Sequence, residues 1–225
     1  MVLWTALIFI MVVLALSCSS VVALRRYTTA KGRYGMRMMS TKRVVFLGTP
    51  DVAAKSLEMI VERSKAGKGT NSSEDPDYDG FEVVAVVSQP PAPSGRKMKL
   101  TPSPVQLMAE SLGIPLHAPA KAKDEDFLAM LEGLKPDLCI TAAYGNFLPK
   151  RFLAIPKFGT LNIHPSLLPL YRGAAPVQRC LENGDTVTGI TVAETVLKMD
   201  AGPVVRQEEY QLQVGLSPSL SPSQV

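Results

Sequence analysis

Residues 43–51 read Arg-Val-Val-Phe-Leu-Gly-Thr-Pro-Asp, and the organisation of the chain follows from this stretch. Its β-branched and aromatic residues predict a buried first strand that ends at Gly48. Thr49 and Pro50 predict the start of a helix, with Thr49 as the cap and Pro50 at the first helical position. A buried strand that passes directly into a helix indicates an α/β fold.

Strand and helix signals alternate through most of the remaining chain. Further strands are predicted at 81–88, 114–117, 137–141 and 159–164, with two paired strands at 186–194 and 204–211. Helices are predicted at about 104–112, 124–134 (capped by Asp124) and 175–182, with a helical turn at 151–154 and loops at 65–80, 89–103 and 165–173. This alternation favours a doubly wound, mainly parallel sheet with helices on both faces.

Composition places the chain among ordinary globular proteins. Its 225 residues suit one domain with extensions, and 46% hydrophobic with 20% charged residues exclude wholesale disorder, a collagen-like repeat and a coiled coil. The three cysteines form no CxxC, zinc or disulfide pattern, which indicates a reducing compartment. With two histidines, the chain is poorly equipped for a multi-histidine metal site.

The basic character of the chain belongs to its N-terminus. The net charge is +4, yet residues 1–50 hold seven basic side chains and no acidic one, so the remainder is slightly acidic. Basicity therefore does not by itself indicate nucleic-acid binding by the globular part, which must be judged by local patches.

Residues 1–41 are predicted to be a targeting leader. Residues 1–24 carry no charged side chain, 6–16 are unbroken apolar sequence, and small residues around Ala23 suit cleavage. Residues 24–41 are rich in Arg, Ser, Thr and Met and free of acid, as in transit peptides. We expect import into a plastid or a mitochondrion, with no stable membrane association once the leader is removed. A membrane anchor, or true initiation at Met36, Met38 or Met39, is the alternative.

Candidate chemistry is concentrated at one strand end. The turn after Gly48 has neither GxGxxG nor a P-loop, so nothing there predicts a dinucleotide or phosphate site. Strand alternation puts Asn162 and His164 on the same face, where an amide can donate to an oxyanion and an imidazole can move a proton. Asp200, beside a turn, adds a carboxylate. A hydrogen-bonded strand end and an ordinary turn are the alternative interpretation.

Residues 165–176, PSLLPLYRGAAP, resemble the SLLPxxRGAAP signature of methionyl-tRNA formyltransferases. Other segments are similar to the same family: VVFLGTPDVAAKSL at 44–57, QPPAPSGRKMKLTPSPV at 89–105, ITAAYGNFLP at 140–149 and KMDAG at 198–202. The resemblance covers about 42–211 and implies a catalytic domain there, with a Rossmann-like sheet of the formyltransferase type.

The resemblance implies transfer of the formyl group of 10-formyltetrahydrofolate to the amine of methionine on initiator tRNA. Asn162 would donate to the oxyanion, His164 would handle protons, and Asp200 would tune His164 and accept a proton; no metal is required. The segment that follows His164 would line the folate site, and three cations of a proline-rich loop would contact tRNA. The folate residues are Ser166, Leu167, Leu168 and Pro169, and the tRNA residues are Arg96, Lys97 and Lys99.

Members of the resembled family continue beyond this catalytic domain into a β-barrel that grips tRNA. Here residues 212–225 form a Ser/Pro-rich tail, so we expect a truncated catalytic domain without the barrel, acting as a monomer. Two alternatives stay open. In the first, the chain is an inactive folate- or tRNA-binding remnant. In the second, it is a formyltransferase for a small amine such as glycinamide ribonucleotide.

Overall fold

The computed structural model describes residues 41–66, 80–94 and 98–212. The described strands are β1 Lys42–Gly48, β2 Phe81–Val87, β3 Ala92–Ser94, β4 Lys99–Thr101, β5 Leu116–His117, β6 Leu138–Ala142, β7 Thr160–His164, β8 Val187–Glu194 and β9 Val204–Gln211. The described helices are α1 Asp51–Ala66, α2 Pro104–Leu112, α3 Glu125–Leu134, α4 Lys150–Leu153 and α5 Pro176–Glu182. The predicted leader up to residue 40, the tail from residue 213, and Arg96 and Lys97 lie outside the described residues.

Seven strands form one sheet in the order β5-β2-β1-β6-β7-β8-β9. The first five in this order pair in parallel, and β8 and β9 continue the sheet in antiparallel pairing. From β1 the chain builds outward through β2 to β5, and it then returns to the other side of β1 with β6 and β7. The prediction of a doubly wound, mainly parallel α/β sheet is confirmed.

Helices cover both faces of the sheet, as the alternation within β1 requires. Val44 and Phe46 belong to the core on one side, under α1 and α2, whereas Val45 and Leu47 belong to the core on the other side, under α3 and α4. Strands buried on both faces read as continuous apolar runs, which is how β1 reads in the sequence. Among the described helices, none combines the length and the apolar character that crossing a membrane requires.

The two side chains predicted to cap helices form their hydrogen bonds elsewhere. The hydroxyl of Thr49 donates to the carbonyl of Tyr144 at 2.9 Å instead of capping α1, and α1 begins at Asp51, with the Pro50 carbonyl accepting the first helical bond from Ala54. Asp124 is the N-cap residue of α3, as predicted, but its carboxylate makes no capping bond and accepts from the Lys121 N–H at 3.1 Å, outside the helix. In both cases a neighbouring loop competes successfully for the capping side chain.

The loop predicted at 89–103 contains a short antiparallel hairpin. β3 and β4 pair through Ala92–Thr101, Pro93–Leu100 and Ser94–Lys99. Strands of three residues are too short to show an alternating pattern, and proline inside one of them argues against a strand. The sequence signals therefore predicted only a loop.

Candidate active site

The carboxyl ends of β1, β6 and β7 meet at one edge of the sheet, where ligands bind in open α/β sheets. Close approach at this edge needs Gly48, because a Cβ there would lie 2.7 Å from the Cβ of Ala53 and 3.0 Å from the carbonyl of Ala142. The bond from Thr49 to the Tyr144 carbonyl ties the segment after β1 to the segment after β6. The edge is therefore a tightly joined platform.

Asn162, His164 and Asp200 converge at the end of β7. The Asn162 Nδ2 donates to Asp200 Oδ1 at 3.2 Å, and the His164 Nδ1 lies 3.8 Å from Asp200 Oδ2. The His164 side chain is 7% exposed and that of Asp200 is 14% exposed. The three residues that the sequence singled out are thus brought together around one carboxylate, and their catalytic roles remain predictions.

Asp200 is held in place by backbone contacts. Its Oδ2 also accepts from the Gly173 N–H at 2.8 Å, so each carboxylate oxygen has one donor. The residue itself has a φ of +44°, in the left-handed region that side chains other than Gly, Asn and Asp seldom adopt. Just beyond it, Gly202 packs so closely that a Cβ would lie 1.8 Å from the Glu194 carbonyl. The turn is therefore pressed against the end of β8.

The amide of Asn162 has a defined orientation. The hydroxyl of Thr141, which lies opposite Asn162 across the β6–β7 pairing, donates to Asn162 Oδ1 at 2.9 Å. The amide oxygen is thereby an acceptor for Thr141, and the NH₂ group is directed to Asp200. This nitrogen carries two N–H groups, and the bond to Asp200 uses one of them.

The segment predicted to line a folate site is anchored from behind. Ser166 is completely buried and its hydroxyl donates to the Leu170 carbonyl at 2.6 Å, whereas Leu168 is 7% exposed. Leu167 packs over Gly189, because a Cβ added to Gly189 would lie 2.4 Å from the Leu167 Cδ2. Pro169 is exposed. The side chains of Ser166 and Leu168 are turned into the protein, so they shape this loop from within; ligand contact by the segment stays a prediction.

Two residues that the sequence interpretation missed hold the same segment. The hydroxyl of Thr191, fully buried on β8, donates to the Ser166 carbonyl at 2.7 Å and accepts from the Leu168 N–H at 3.1 Å. Gln207 on β9 donates to that hydroxyl at 2.8 Å and to the Leu168 carbonyl at 2.7 Å. No motif marks either residue. The pairing of Thr191 with both His164 and Gln207 in the sheet is the signal that could have found them.

Exposed apolar side chains lie near Tyr171 and Asp200 in the sequence. Leu170, Leu197 and Met199 are 57%, 50% and 68% exposed, and they belong to the two segments that carry Tyr171 and Asp200. These segments touch, because a Cβ at Gly173 would lie 3.4 Å from the Met199 sulfur. These exposed side chains are available for contact with a partly apolar ligand.

The predicted tRNA residues are only partly described. Lys99 is exposed on β4, next to the exposed side chains of Met98 and Leu100, whereas Arg96 and Lys97 lie outside the described residues. Lys99 lies on the β3–β4 hairpin, and this hairpin precedes the strand that carries Asn162 by about 60 residues of sequence. Its predicted contact with tRNA stays a prediction.

Other reactive side chains do not join this cluster. Burial raises the pKa of the Cys139 thiol well above its ordinary value, so this cysteine is held in the unreactive protonated form. Burial lowers the pKa of His117, at the end of β5. Within the described ranges, no three His, Cys, Asp or Glu side chains are grouped to hold a metal ion.

Comparison with known proteins gives a consistent result. A model of the Formyl transferase family matches residues 42–219. Methionyl-tRNA formyltransferase of Thermotoga maritima is 42% identical over 170 residues, which are 76% of this chain and 49% of that protein. Methionyl-tRNA formyltransferase of Frankia casuarinae is 48% identical over 162 residues, 72% of this chain and 44% of that protein. The chain spans about half the length of the curated relatives it matches.

A solved structure shares the fold. Glycinamide ribonucleotide transformylase 1 from Geobacillus kaustophilus superimposes with a TM-score of 0.61 at 23% identity, over 79% of this chain and 86% of that one. At this identity the likeness concerns the arrangement of strands and helices. It does not indicate which substrate this chain uses.

Proposed function

Since the chain belongs to the formyl transferase family, we propose that it transfers the formyl group of 10-formyltetrahydrofolate to the amine of methionine on initiator tRNA. The observation that carries this proposal is the convergence of Asn162 and His164 on Asp200 at the carboxyl edge of the sheet. An amide donor, an imidazole and a carboxylate at one point are the groups that acyl transfer to an amine requires.

The roles follow from the bonding changes. The neutral amine forms a bond to the formyl carbon, the bond from that carbon to N10 of the folate breaks, and one proton passes from the amine to N10. Asn162 donates its second N–H to the oxygen on which negative charge develops. His164 takes the amine proton and returns it, and Asp200 stabilises the charged imidazole.

Residues beside the cluster fit a folate co-substrate. Folate carries flat aromatic rings, and we expect the exposed Leu170, Leu197 and Met199, on the segments that carry Tyr171 and Asp200, to pack against their faces. The backbone of 165–169, held by Thr191 and Gln207, would form the floor of this site. The co-substrate would supply the activated formyl group, while the protein supplies the oxyanion donor and the proton carrier.

Methionyl-tRNA is favoured over a small amine as the acceptor. The relatives at 42% and 48% identity are methionyl-tRNA formyltransferases, whereas the glycinamide ribonucleotide enzyme is 23% identical and shares the fold. Lys99 on its exposed hairpin, with Arg96 and Lys97 next to it in the sequence, would bind acceptor-stem phosphates. Glycinamide ribonucleotide stays the second candidate.

The same proposal places the reaction in an organelle with bacterial-type translation. It rests on the composition of residues 1–41, an apolar core followed by a basic, acid-free stretch. The test is the location of a fluorescent fusion of the full chain. We expect plastid or mitochondrial fluorescence, which is lost when Arg25, Arg26, Lys31, Arg33 and Arg37 are replaced by glutamate. Diffuse fluorescence of the unchanged fusion would refute this part of the proposal.

The enzymatic proposal is tested by product identification. The 225-residue chain is incubated with 10-formyltetrahydrofolate and methionine-charged initiator tRNA, and the released aminoacyl group is examined by mass spectrometry. We expect formylmethionine. Binding of folate or tRNA without any formylated product would support the alternative of a non-catalytic remnant.

A further inference from the structure

The main-chain carbonyl of Tyr171 fixes where His164 carries its proton. His164 Nε2 lies 3.0 Å from this oxygen. A carbonyl oxygen accepts hydrogen bonds and donates none, so Nε2 must be the N–H donor. In the neutral ring only one nitrogen is protonated, which leaves Nδ1 with its lone pair.

That unprotonated nitrogen faces the carboxylate of the cluster. Nδ1 is 3.8 Å from Asp200 Oδ2, while Asp200 is bound by the Asn162 amide and the Gly173 N–H. A proton that arrives at Nδ1 is therefore placed beside a fixed negative charge, whereas Nε2 keeps its own proton and donates it in the hydrogen bond to the Tyr171 carbonyl. Nδ1 is the ring atom suited to exchange protons with a substrate.

Tyr171 is held at both ends. Its hydroxyl donates to Asp185 Oδ2 at 2.5 Å, and the hydrogen bond to this carboxylate raises the pKa of the Tyr171 hydroxyl, which keeps it a donor. Asp185 is itself anchored, because its Oδ1 accepts from the Asn183 amide at 2.7 Å and its N–H donates to the Cys180 carbonyl at 3.2 Å. The tether thus ends on the turn that follows α5.

The backbone of Tyr171 needs such a tether. Its φ of +55° lies in the left-handed region, which is unfavourable for a residue with a bulky side chain. A residue in this conformation persists where surrounding contacts determine it. The side-chain bond to Asp185 and the carbonyl bond from His164 are two such contacts on opposite ends of one residue.

We propose that Tyr171 is a positioning residue: anchored on Asp185, it holds its own carbonyl on His164 Nε2 and so keeps the imidazole in the Nε2–H form with Nδ1 facing Asp200. The consequence for catalysis rests on the proposed function, since it assumes that His164 carries the proton in formyl transfer. The tautomer itself does not depend on that assumption and can be measured without substrate.

Nitrogen-15 NMR of the imidazole rings in the full chain tests the proposal. With two histidines in the sequence, a His164→Gln variant assigns the signals and His117 serves as an internal reference. At a pH where the ring is neutral, we expect a pyrrole-type Nε2 and a pyridine-type Nδ1 for His164. In Tyr171→Phe the hydroxyl tether is gone, and we expect the two nitrogens to move toward averaged values as both tautomers become populated.

Asp185→Asn and Tyr210→Phe complete the design. Asparagine retains an acceptor oxygen for the Tyr171 hydroxyl, so Asp185→Asn should move the His164 signals less than Tyr171→Phe does. Tyr210 lies on β9 opposite Thr188, and Tyr210→Phe should leave the His164 signals unchanged. In formyl transfer we expect Tyr171→Phe to lower kcat about 10-fold with little change in KM, because part of the general-base contribution is lost.

The possible outcomes distinguish the positioning role of Tyr171 from the proposed formyl-transfer function. A pyridine-type Nε2 in the unchanged protein, or wild-type His164 signals in folded Tyr171→Phe, would overturn the positioning role whatever the enzyme does. The expected NMR result in a chain that formylates no acceptor would uphold the tautomer and refute the proposed function.

Discussion

The polar side chains at the end of β7 are held in defined orientations by hydrogen bonds from neighbouring residues. Thr141 directs the Asn162 amide, and Asn162 and Gly173 each occupy one oxygen of Asp200. Preorganised donors of this kind need little reorientation when charge develops on a substrate oxygen, which is the main source of their catalytic effect. We therefore expect substitutions of these residues to have the largest effects on activity.

Replacing any of the three polar residues should disable formyl transfer. We expect Asn162→Ala, His164→Ala and Asp200→Ala each to reduce the rate by at least about 100-fold, because each removes a group that acts on the oxyanion or the proton. The measurement is single-turnover formyl transfer to initiator Met-tRNA. Asp126→Ala, an exposed carboxylate at the start of α3, is the matched control and should retain the full rate. Near-normal turnover by Asn162→Ala would refute the oxyanion role.

The Tyr171–Asp185 pair should make stability depend on pH. The hydrogen bond from Tyr171, followed by that from Asn183, lowers the pKa of Asp185, so its contribution is present above the unfolded value of about 3.9 and is lost as pH falls through the lowered folded pKa. The pKa of Tyr171 is raised by the same bond, so its contribution is present below about 10 and is lost as pH rises through the raised folded pKa.

We therefore expect the unchanged chain to be more stable than Tyr171→Phe. The difference in their free energies of unfolding should be largest between about pH 5 and 9. Denaturant unfolding of both proteins across the pH range measures this difference. A difference that stays constant from pH 3 to pH 11 would mean that the pair is not linked to ionisation.

Among the elements, the antiparallel extension β8–β9 supports the loop after β7. Thr191 and Gln207 lie side by side on these strands and make four hydrogen bonds, of which three reach the backbone of residues 166–168. Because Thr191 is fully buried, loss of its hydroxyl leaves the Leu168 N–H and the Ser166 carbonyl without this partner and shielded from water.

Thr191→Val should thus lower the free energy of unfolding by about 1–3 kcal/mol. Thr160→Val is the matched control on β7, since the buried hydroxyl of Thr160 has no hydrogen-bond partner among the described residues; this change should be neutral or stabilising. Chemical denaturation of both variants makes the comparison. Equal effects would show that the Thr191 bonds do not anchor the loop.

Two glycines should respond oppositely to alanine. Gly202→Ala places a Cβ 1.8 Å from the Glu194 carbonyl, so the turn that carries Asp200 must shift, and we expect a loss of about 1–3 kcal/mol together with slower formyl transfer. Gly133→Ala lies inside α3 with no described atom within 4 Å of its Cβ and should stabilise the protein by about 0.5–1 kcal/mol. Thermal unfolding of both variants tests this, and a stable, fully active Gly202→Ala would contradict it.

Most elements could be predicted from the sequence because strands such as β1 and β6 are mainly apolar runs bounded by turn residues. Asn162 and His164 were predictable as neighbours for a different reason, since side chains two positions apart on one strand lie on the same face. The hairpin β3–β4 could not be predicted, because three residues show no period. The contacts of Tyr171 and Thr191 could not be predicted either. The first depends on how the loop after β7 folds back to His164, and the second depends on the antiparallel register of β7 and β8.

For the whole molecule, the fold alone does not choose the acceptor. The same arrangement of strands and helices is shared with a glycinamide ribonucleotide enzyme at a TM-score of 0.61, whereas the closer sequence similarity is to methionyl-tRNA formyltransferases at 42% and 48% identity. In the proposed function, the cluster at the carboxyl ends of the strands carries the formyl-transfer chemistry. We expect selectivity between acceptors to come from surfaces around this cluster, such as the hairpin that carries Lys99.

Acceptor competition tests the central claim most directly. The 225-residue chain receives limiting 10-formyltetrahydrofolate with equal concentrations of initiator Met-tRNA and glycinamide ribonucleotide, and the two formylated products are quantified over time. We predict that formylmethionyl-tRNA forms in large excess, and that its formation declines with added salt because tRNA phosphates are bound by cations. Predominant formylation of glycinamide ribonucleotide, or no formylated product of either kind, would contradict the account.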